Sequence, residues 1–165
     1  MTNLVDRALK FATIAHADQK RKYTGQPYIV HPIEVMEIVK TVDHDDAMLA
    51  AALLHDVVED TDITLDVISD AFGEDVANLV DDLTDVSKPE DGNRKTRKAL
   101  DRAHSANASA RAQTIKLADL ISNSADILEN DPNFAKVYLA EKELLLEVLT
   151  KGDSSLRERA AKFLV

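Results

Sequence analysis

All four glycines and all four prolines of this 165-residue chain fall between segments with helical periodicity, and this limits the fold more than any other feature. Glycine and proline interrupt regular elements, so their positions mark where segments end. Between them, apolar residues recur every three or four positions, as at Val76, Leu79, Val80 and Leu83. No segment shows the clear alternation of apolar and polar residues that a half-buried strand would need. The sequence therefore predicts an all-α fold.

The same pattern gives approximate bounds for the helices. We expect a first helix from Leu4 to Lys20 and a second with Pro32 in its first turn, where the fixed φ of proline suits a helix. A third should begin at a cap formed by Asp45 or Asp46 and reach His55. The later expected elements are a short helix capped by Thr64, a helix over 76–86, a basic segment over 93–102, a polar loop over 104–109 and helices over 110–128, 132–148 and near the C-terminus.

Length and composition favour one helical bundle. A chain of this size with 45% hydrophobic residues can bury one proper core, and we predict a single domain over residues 1–165. Aromatic residues make up only 4% of the chain, so the core should be aliphatic. Cysteine is absent, which leaves imidazole and carboxylate groups as the strong metal ligands.

Charge and hydropathy exclude two classes of partner. The net charge of -10 disfavours broad contact with a nucleic-acid backbone or an anionic membrane. No window approaches the roughly 18 apolar residues of a membrane span, and the N-terminal segment lacks the pattern of a secretory signal. We expect a cytoplasmic protein with a small-molecule partner. Its oligomeric state is left open.

The run His55-Asp56-Val57-Val58-Glu59-Asp60, which follows the apolar segment 50–54, carries the clearest chemical signal. At about 100° per residue, His55 and Glu59 would project from nearly the same side of one helix. Such an element would hold a metal and place an acid/base beside it. The plainer interpretation is a solvated acidic helix end. His31 before Pro32 and Asp119 after Lys116-Leu117-Ala118 favour the metal, because they supply the further donors that a site needs.

The donor set indicates the type of metal and reaction. Two imidazoles and two carboxylates, from His31, His55, Asp56 and Asp119, suit Mn, Fe, Co, Ni or Zn rather than Ca, and we favour one Mn²⁺. Such an ion activates water for attack on a phosphate, with Glu59 as the acid/base and Asp60 assisting through hydrogen bonds. Basic residues over 20–22 and 94–102 would offset phosphate charge if they fold toward the metal, although each is also typical of a solvated helix face. The residues thus indicate a metal-assisted phosphohydrolase.

Three ordered motifs make the chain resemble a known family. They are Arg21-Lys22 with Gly25-Gln26-Pro27-Tyr28-Ile29-Val30-His31-Pro32, Ala52-Leu53-Leu54-His55-Asp56-Val57-Val58-Glu59-Asp60-Thr61, and Ile115-Lys116-Leu117-Ala118-Asp119 with Asn123. Together, over about residues 4–150, they resemble the hydrolase domain of the RelA/SpoT alarmone enzymes in the HD superfamily. The length is similar to that of the small single-domain alarmone hydrolases of the Mesh1 type.

This resemblance implies an HD-type helical bundle that binds Mn²⁺ and removes the 3′-pyrophosphate of guanosine tetra- or pentaphosphate, (p)ppGpp, to give GDP or GTP and pyrophosphate. Carried over by motif, the metal ligands are His31, His55, Asp56 and Asp119, and the catalytic pair is Glu59 and Asp60. The implied substrate contacts are Arg21, Lys22, Lys95, Asn123 and Tyr138. The synthetase domain of the long enzymes has no counterpart in this sequence.

The chain departs from the family pattern at Leu120, where a basic residue is common, and at Ser122, where an aromatic residue or His is common. These differences concern phosphate contacts and base choice, so the adenosine alarmone (p)ppApp is an alternative substrate. Another HD nucleotide phosphohydrolase, including an NADPH phosphatase, is a second alternative. A non-catalytic nucleotide-binding HD domain is a third, and the Glu59-Asp60 pair argues against it.

Overall fold

The computed structural model describes residues 2–164, and helices account for their regular structure. An isolated bridge joins Lys20 and Pro27, and no strand occurs in the described part of the chain. Short 3-10 turns cover Pro89–Asp91 and Lys162–Leu164. The α-helices are α1 (Leu4–Ala15), α2 (Val30–Val39), α3 (Asp46–Leu54), α4 (Val57–Asp60), α5 (Leu65–Phe72), α6 (Glu74–Leu83), α7 (Arg94–Ala106), α8 (Ala110–Asn130), α9 (Pro132–Val148) and α10 (Ser154–Ala161). The all-α prediction is confirmed.

Helix α3 lies at the centre of the bundle. Every residue from Met48 to Leu54 is buried, and the helix packs against α1, α2, α6 and α8. A helix that is apolar on all sides is stable only when other elements surround it, which explains this central position. Its N-terminus is capped by the side chain of Asp45, which accepts a hydrogen bond from the Met48 N–H at 2.9 Å. The cap fixes where the central helix begins, and the helix ends at Leu54, directly before His55.

Side-chain caps also fix where the helices around the site begin. Thr64 caps α5 as predicted, and Asn93, Ser109 and Asp131 cap α7, α8 and α9. Each of these side chains accepts a hydrogen bond from a backbone N–H in the first turn, which would otherwise lack a partner. Polar capping residues thus set where these four helices start.

Several helix bounds differ from the predicted ones; α6, for example, covers Glu74–Leu83 rather than 76–86, and α8 continues to Asn130 rather than 128. Helix α1 ends at Ala15 rather than Lys20, because the chain turns at His16 and then pairs Lys20 with Pro27. Helix α3 ends at Leu54, so His55 is not part of a continuous helix with Glu59. Helix α7 continues to Ala106, into the region predicted as a polar loop. Helix ends depend on tertiary contacts that periodicity does not contain.

The buried apolar residues form one continuous cluster that is almost entirely aliphatic. Gly152 lets the turn after α9 approach α8 closely, because an added Cβ would lie 2.7 Å from Leu117 Cδ1 and 3.2 Å from the Gln113 carbonyl carbon. The core agrees with the expected packing through small aliphatic side chains. The single domain over 1–165 stays a prediction. Among residues 2–164, no helix combines the length and apolar character needed to cross a membrane.

Candidate active site

Four side chains from three separate places in the sequence converge beside the end of α3. Among them, His31, His55 and Asp56 offer ligand atoms that all lie within 4.8 Å of one another. Asp119 Oδ1 lies 2.9 Å from His31 Nε2 and 3.3 Å from His55 Nε2. Asp56 Oδ2 lies 3.0 Å from His55 Nε2 and 3.7 Å from His31 Nε2. The structure therefore brings together the whole set of donors expected from the sequence.

The break between α3 and α4 explains how two adjacent residues serve one centre. In a continuous helix, neighbouring side chains project about 100° apart. Here Asp56 has φ -101° and ψ -3° and separates the two helices. His55 and Asp56 can then point the same way, with their side-chain atoms 3.0 Å apart. The one-turn helix α4 follows at once and carries Glu59 and Asp60.

The imidazoles are oriented as ligands of a cation would be. His55 Nδ1 lies 2.6 Å from the Ala52 carbonyl oxygen, and its buried Nε2 has no hydrogen-bond partner in the described part of the chain. A backbone carbonyl that binds one ring nitrogen leaves the lone pair of the other nitrogen free for a metal. Ligand atoms about 2.1 Å from a shared divalent ion would be about 3 Å apart, which matches the observed separations. These residues therefore fit a divalent metal.

Charge in the cluster is unbalanced without a cation. Burial opposes protonation of His55, but Asp56 and Asp119 outweigh it and raise the pKa of His55 well above its usual 6.5. Burial likewise opposes ionisation of Asp119, yet its close contacts with His31 and His55 lower its pKa well below the usual value. In the same way, His55 lowers the pKa of Asp56 to about 2 against the effect of burial. The two buried carboxylates thus stay ionised and attract positive charge.

Further polar side chains hold the four donors in place. Ser122 Oγ lies 3.1 Å from His31 Nδ1 and donates to Glu34 Oε2 at 2.9 Å. Since Ser122 gives its proton to Glu34, it accepts the Nδ1–H of His31, which leaves His31 Nε2 free toward the cluster. Asn123 Nδ2 donates to Asp119 Oδ1 at 3.1 Å. The Tyr28 hydroxyl donates to Asp56 Oδ2 at 2.5 Å.

The two acidic residues of α4 lie at the solvent-accessible side of the cluster. Glu59 accepts a hydrogen bond from the backbone N–H of Asp85. Surrounding protein atoms, and then the Asp85 carboxylate, raise the pKa of Glu59 to about 7. Partial burial and Asp56 also raise the pKa of Asp60. A carboxyl group with a pKa near neutrality is suited to accept and return a proton.

The residues expected to contact substrate occupy several places around the cluster. Arg21 is held by Asp126 at 2.9 Å on one side, and Lys22 is exposed and lies over the Tyr23 ring at 5.3 Å. The ring of Tyr138 is buried in α9. Lys95 is exposed on α7 and lines an outer groove against α9. These four residues lie outside the metal cluster, and their role as substrate contacts stays a prediction.

Sequence reasoning missed several residues that the structure brings to the site. Glu34 contacts Ser122 from 88 residues away, and no motif linked them. Tyr28 stands in the first motif without an assigned role, although it lies three positions before His31, a spacing that places both near the start of α2. Lys116 and Lys142 face the region beside Asp119 from α8 and α9. Of the two lysines, only Lys116 could have been found from the sequence, because it lies one helical turn before Asp119 in the same motif.

Comparison with known proteins gives a consistent result. Residues 8–144 match the HD domain family. A Drosophila melanogaster protein named guanosine-3′,5′-bis(diphosphate) 3′-pyrophosphohydrolase MESH1 is 41% identical over 127 residues, 75% of this chain and 69% of that protein. A probable enzyme of the same activity name from Synechocystis is 49% identical over 85 residues, which are 52% of this chain and 11% of the longer relative. The matched segment thus covers about a tenth of that relative's length.

A solved structure extends the likeness to the whole fold. It belongs to a metazoan protein described as a SpoT ortholog that hydrolyses ppGpp, and it is 31% identical to this chain with a TM-score of 0.88. The superposition covers 100% of this chain and 98% of the other. The arrangement of helices is therefore shared from end to end.

Proposed function

Because this chain belongs to the HD domain family, we propose that it is a metal-dependent 3′-pyrophosphohydrolase of (p)ppGpp. The observation that carries the proposal is the convergence of His31, His55, Asp56 and Asp119 directly before an acid/base pair on α4. The names of the Drosophila relative and of the similar structure support the substrate. The products would be GDP or GTP and pyrophosphate.

Mn²⁺ is the proposed ion. Two imidazole nitrogens and two carboxylate oxygens form a mixed set of intermediate softness, which Mn²⁺ accepts along with other transition metals. When bound, the ion polarises a phosphoryl oxygen and lowers the pKa of a nearby water. Side chains of the protein itself would transfer the proton, orient the water and bind the phosphates.

In the proposed reaction, a water oxygen bonds to the phosphorus that carries the ribose O3′, and the bond between that phosphorus and O3′ breaks. Glu59 accepts the proton of the attacking water at its carboxylate, for which a pKa of about 7 is suitable. Asp60 orients the water by hydrogen bonding. The proton then leaves with O3′ as the hydroxyl of the product nucleotide.

The proposed substrate contacts follow from their positions around the cluster. Arg21 and Lys22 lie on the side of the α1–α2 loop and would offset phosphate charge there. Asn123 is already bonded to Asp119 and would donate its second amide proton to the nucleotide. Tyr138 offers an aromatic surface from α9, and Lys95 would act from the outer groove. A nucleotide substrate of this kind agrees with the expected cytoplasmic location.

The direct test is one chromatogram. The protein is incubated with Mn²⁺ in three separate reactions, which contain ppGpp, ppApp or NADPH. The products of each reaction are resolved by anion-exchange chromatography. We expect GDP and pyrophosphate from ppGpp, and no products after EDTA treatment. Release of orthophosphate instead of pyrophosphate, or turnover of NADPH alone, would contradict the assignment. Faster cleavage of ppApp would change the proposed base specificity from guanine to adenine, but the proposed type of reaction would stay the same.

A further inference from the structure

Helices α7, α8 and α9 enclose a cavity beside the candidate metal centre, and four cations line it. They are Lys98 and Arg102 from α7, Lys116 from α8 and Lys142 from α9. Its floor includes the buried residues Ser105 and Leu145. We call this space the α7–α9 cavity. Such a concentration of positive charge in a recess is uncommon in a chain with a net charge of -10.

Three acidic residues also line the cavity, and two of them have partners outside the set of four cations. Asp101 accepts hydrogen bonds from two backbone N–H groups and from the hydroxyl of Ser87, and so anchors the segment before α7. Glu141 Oε1 pairs with Arg94 at 3.0 Å. Asp85 is exposed at the mouth, where its backbone N–H binds Glu59. Four cations thus face three carboxylates in the cavity, which leaves a small excess of positive charge.

Within residues 2–164, none of the four cations has a carboxylate oxygen at hydrogen-bond distance. The nearest approach is Lys116 Nζ to Asp119 Oδ2 at 3.9 Å. The Lys142 ammonium lies over the ring of Tyr138, 5.1 Å from its centroid. Burial, and then the charges of Lys116 and Lys98, lower the pKa of Lys142 to about 8. An anion in the cavity would remove this mutual repulsion.

The cavity begins where the reaction is proposed to occur. Lys116 lies one helical turn before the ligand Asp119 on α8, and Asp85 joins the cavity mouth to Glu59. In a diphosphate the two phosphorus atoms share one oxygen, so the second phosphate must lie next to the reacting one. The 5′-phosphates are separated from the reacting phosphorus by the ribose. The adjacent cavity therefore suits the terminal phosphate on the 3′ side.

We propose that the α7–α9 cavity binds the terminal phosphate of the 3′-diphosphate group through Lys98, Arg102, Lys116 and Lys142. It would thereby distinguish 3′-diphosphates from 3′-monophosphates and hold the pyrophosphate product. This inference rests on the proposed function, since it assigns one part of that substrate to one part of the molecule. It identifies Lys142 as a specificity residue that the sequence motifs do not contain.

The first experiment measures anion binding without turnover. Inorganic pyrophosphate is titrated calorimetrically into the protein in the presence of EDTA, so that no metal contributes. Lys142→Met should weaken pyrophosphate binding about 10- to 100-fold, the effect of removing one hydrogen bond to a charged group. Lys142→Arg should restore most of it. Lys136→Met is the matched control, because Lys136 is an exposed lysine of the same helix, and it should bind as the wild type does.

The second experiment determines which phosphate is bound. For Lys142→Met, kcat/KM should fall about 10- to 100-fold with ppGpp and equally with guanosine 3′-diphosphate that lacks 5′-phosphates. The inhibition constant of guanosine 5′-diphosphate 3′-monophosphate should change less than about threefold. Equal weakening of that inhibitor, or a loss that follows the 5′-phosphates, would overturn the proposal. So would the absence of pyrophosphate binding to the wild type.

These results separate the two proposals. If the wild type does not release pyrophosphate from ppGpp, the proposed function is wrong, whatever the calorimetry shows. If it does, and Lys142→Met binds pyrophosphate and cleaves ppGpp as the wild type does, only the cavity assignment is wrong. Circular dichroism of each variant verifies that the fold is retained.

Discussion

Ser122→Ala tests whether the contacts behind the candidate ligands control metal affinity. Ser122 accepts from His31 at 3.1 Å and donates to Glu34 at 2.9 Å, and it is only 6% exposed. Alanine has nearly the same volume, so the change removes hydrogen bonds without opening a large cavity. The His31 Nδ1–H would lose its partner, and the preference for the tautomer with a free Nε2 would weaken.

The size of the effect follows from these contacts. Loss of a support of this kind reduces metal affinity about 10- to 100-fold, which is about 1.4–2.8 kcal/mol of binding free energy. That range agrees with the cost of about 1–3 kcal/mol for a buried donor left without a partner. Glu34→Gln should have a smaller effect, because its amide oxygen still accepts from Ser122.

The assay is calorimetric titration of Mn²⁺ into protein freed of metal with EDTA. Ser124→Ala is the control, because Ser124 is fully buried on the same helix and its hydroxyl has no partner among residues 2–164. It should retain the affinity of the wild type. If Ser122→Ala binds Mn²⁺ as tightly as the wild type, or if both variants weaken equally, the hydroxyl does not orient His31 and the reasoning is refuted.

Three further predictions follow from the site and the core. His55→Ala should abolish Mn²⁺ binding, whereas Glu59→Gln should keep the metal and lower kcat about 10²- to 10⁴-fold. Metal analysis of both variants, together with an activity assay, distinguishes these outcomes. Equal loss of metal in both variants would identify Glu59 as a ligand. Since Glu59 must be ionised to act as a base and its pKa is about 7, kcat/KM should fall as the pH drops below 7. Asp85→Asn removes a neighbouring negative charge and should move that fall to lower pH, and an unchanged pH profile would argue against Glu59 as the base. Gly152→Ala should destabilise the protein by about 1–3 kcal/mol, because the new Cβ would lie 2.7 Å from Leu117 Cδ1, and thermal unfolding measures this.

The helices were largely predictable because their signals are local. Caps such as Thr64 and breaks such as Gly73 act through neighbouring residues, so periodicity and composition identified the elements and the fold class. The break between α3 and α4 was not predictable in this way, since Leu54 to Asp60 is compatible with one continuous helix. Tertiary contacts override local preference there.

The site residues that belong to the three sequence motifs could be predicted from the sequence. The motifs identified His31, His55, Asp56 and Asp119 as donors, and the structure brings them together, while their role as ligands stays a prediction. Of the four cations of the α7–α9 cavity, only Lys116 belongs to a motif, and no motif linked it to the other three. Lys98 and Lys142 lie on separate helices, and only the packing of α7 against α9 makes them neighbours.

The central helix links the stability of the fold to the geometry of the site. Because α3 is apolar on every side, it cannot rotate without moving Leu53 or Leu54 out of the core, at a cost of about 1.5–3 kcal/mol for each side chain exposed. Its last turn supplies the Ala52 carbonyl that orients His55. A rotation large enough to misalign that imidazole therefore also disrupts the core. The site needs few flexible polar contacts on this side, since the packing of α3 already holds the ring in place.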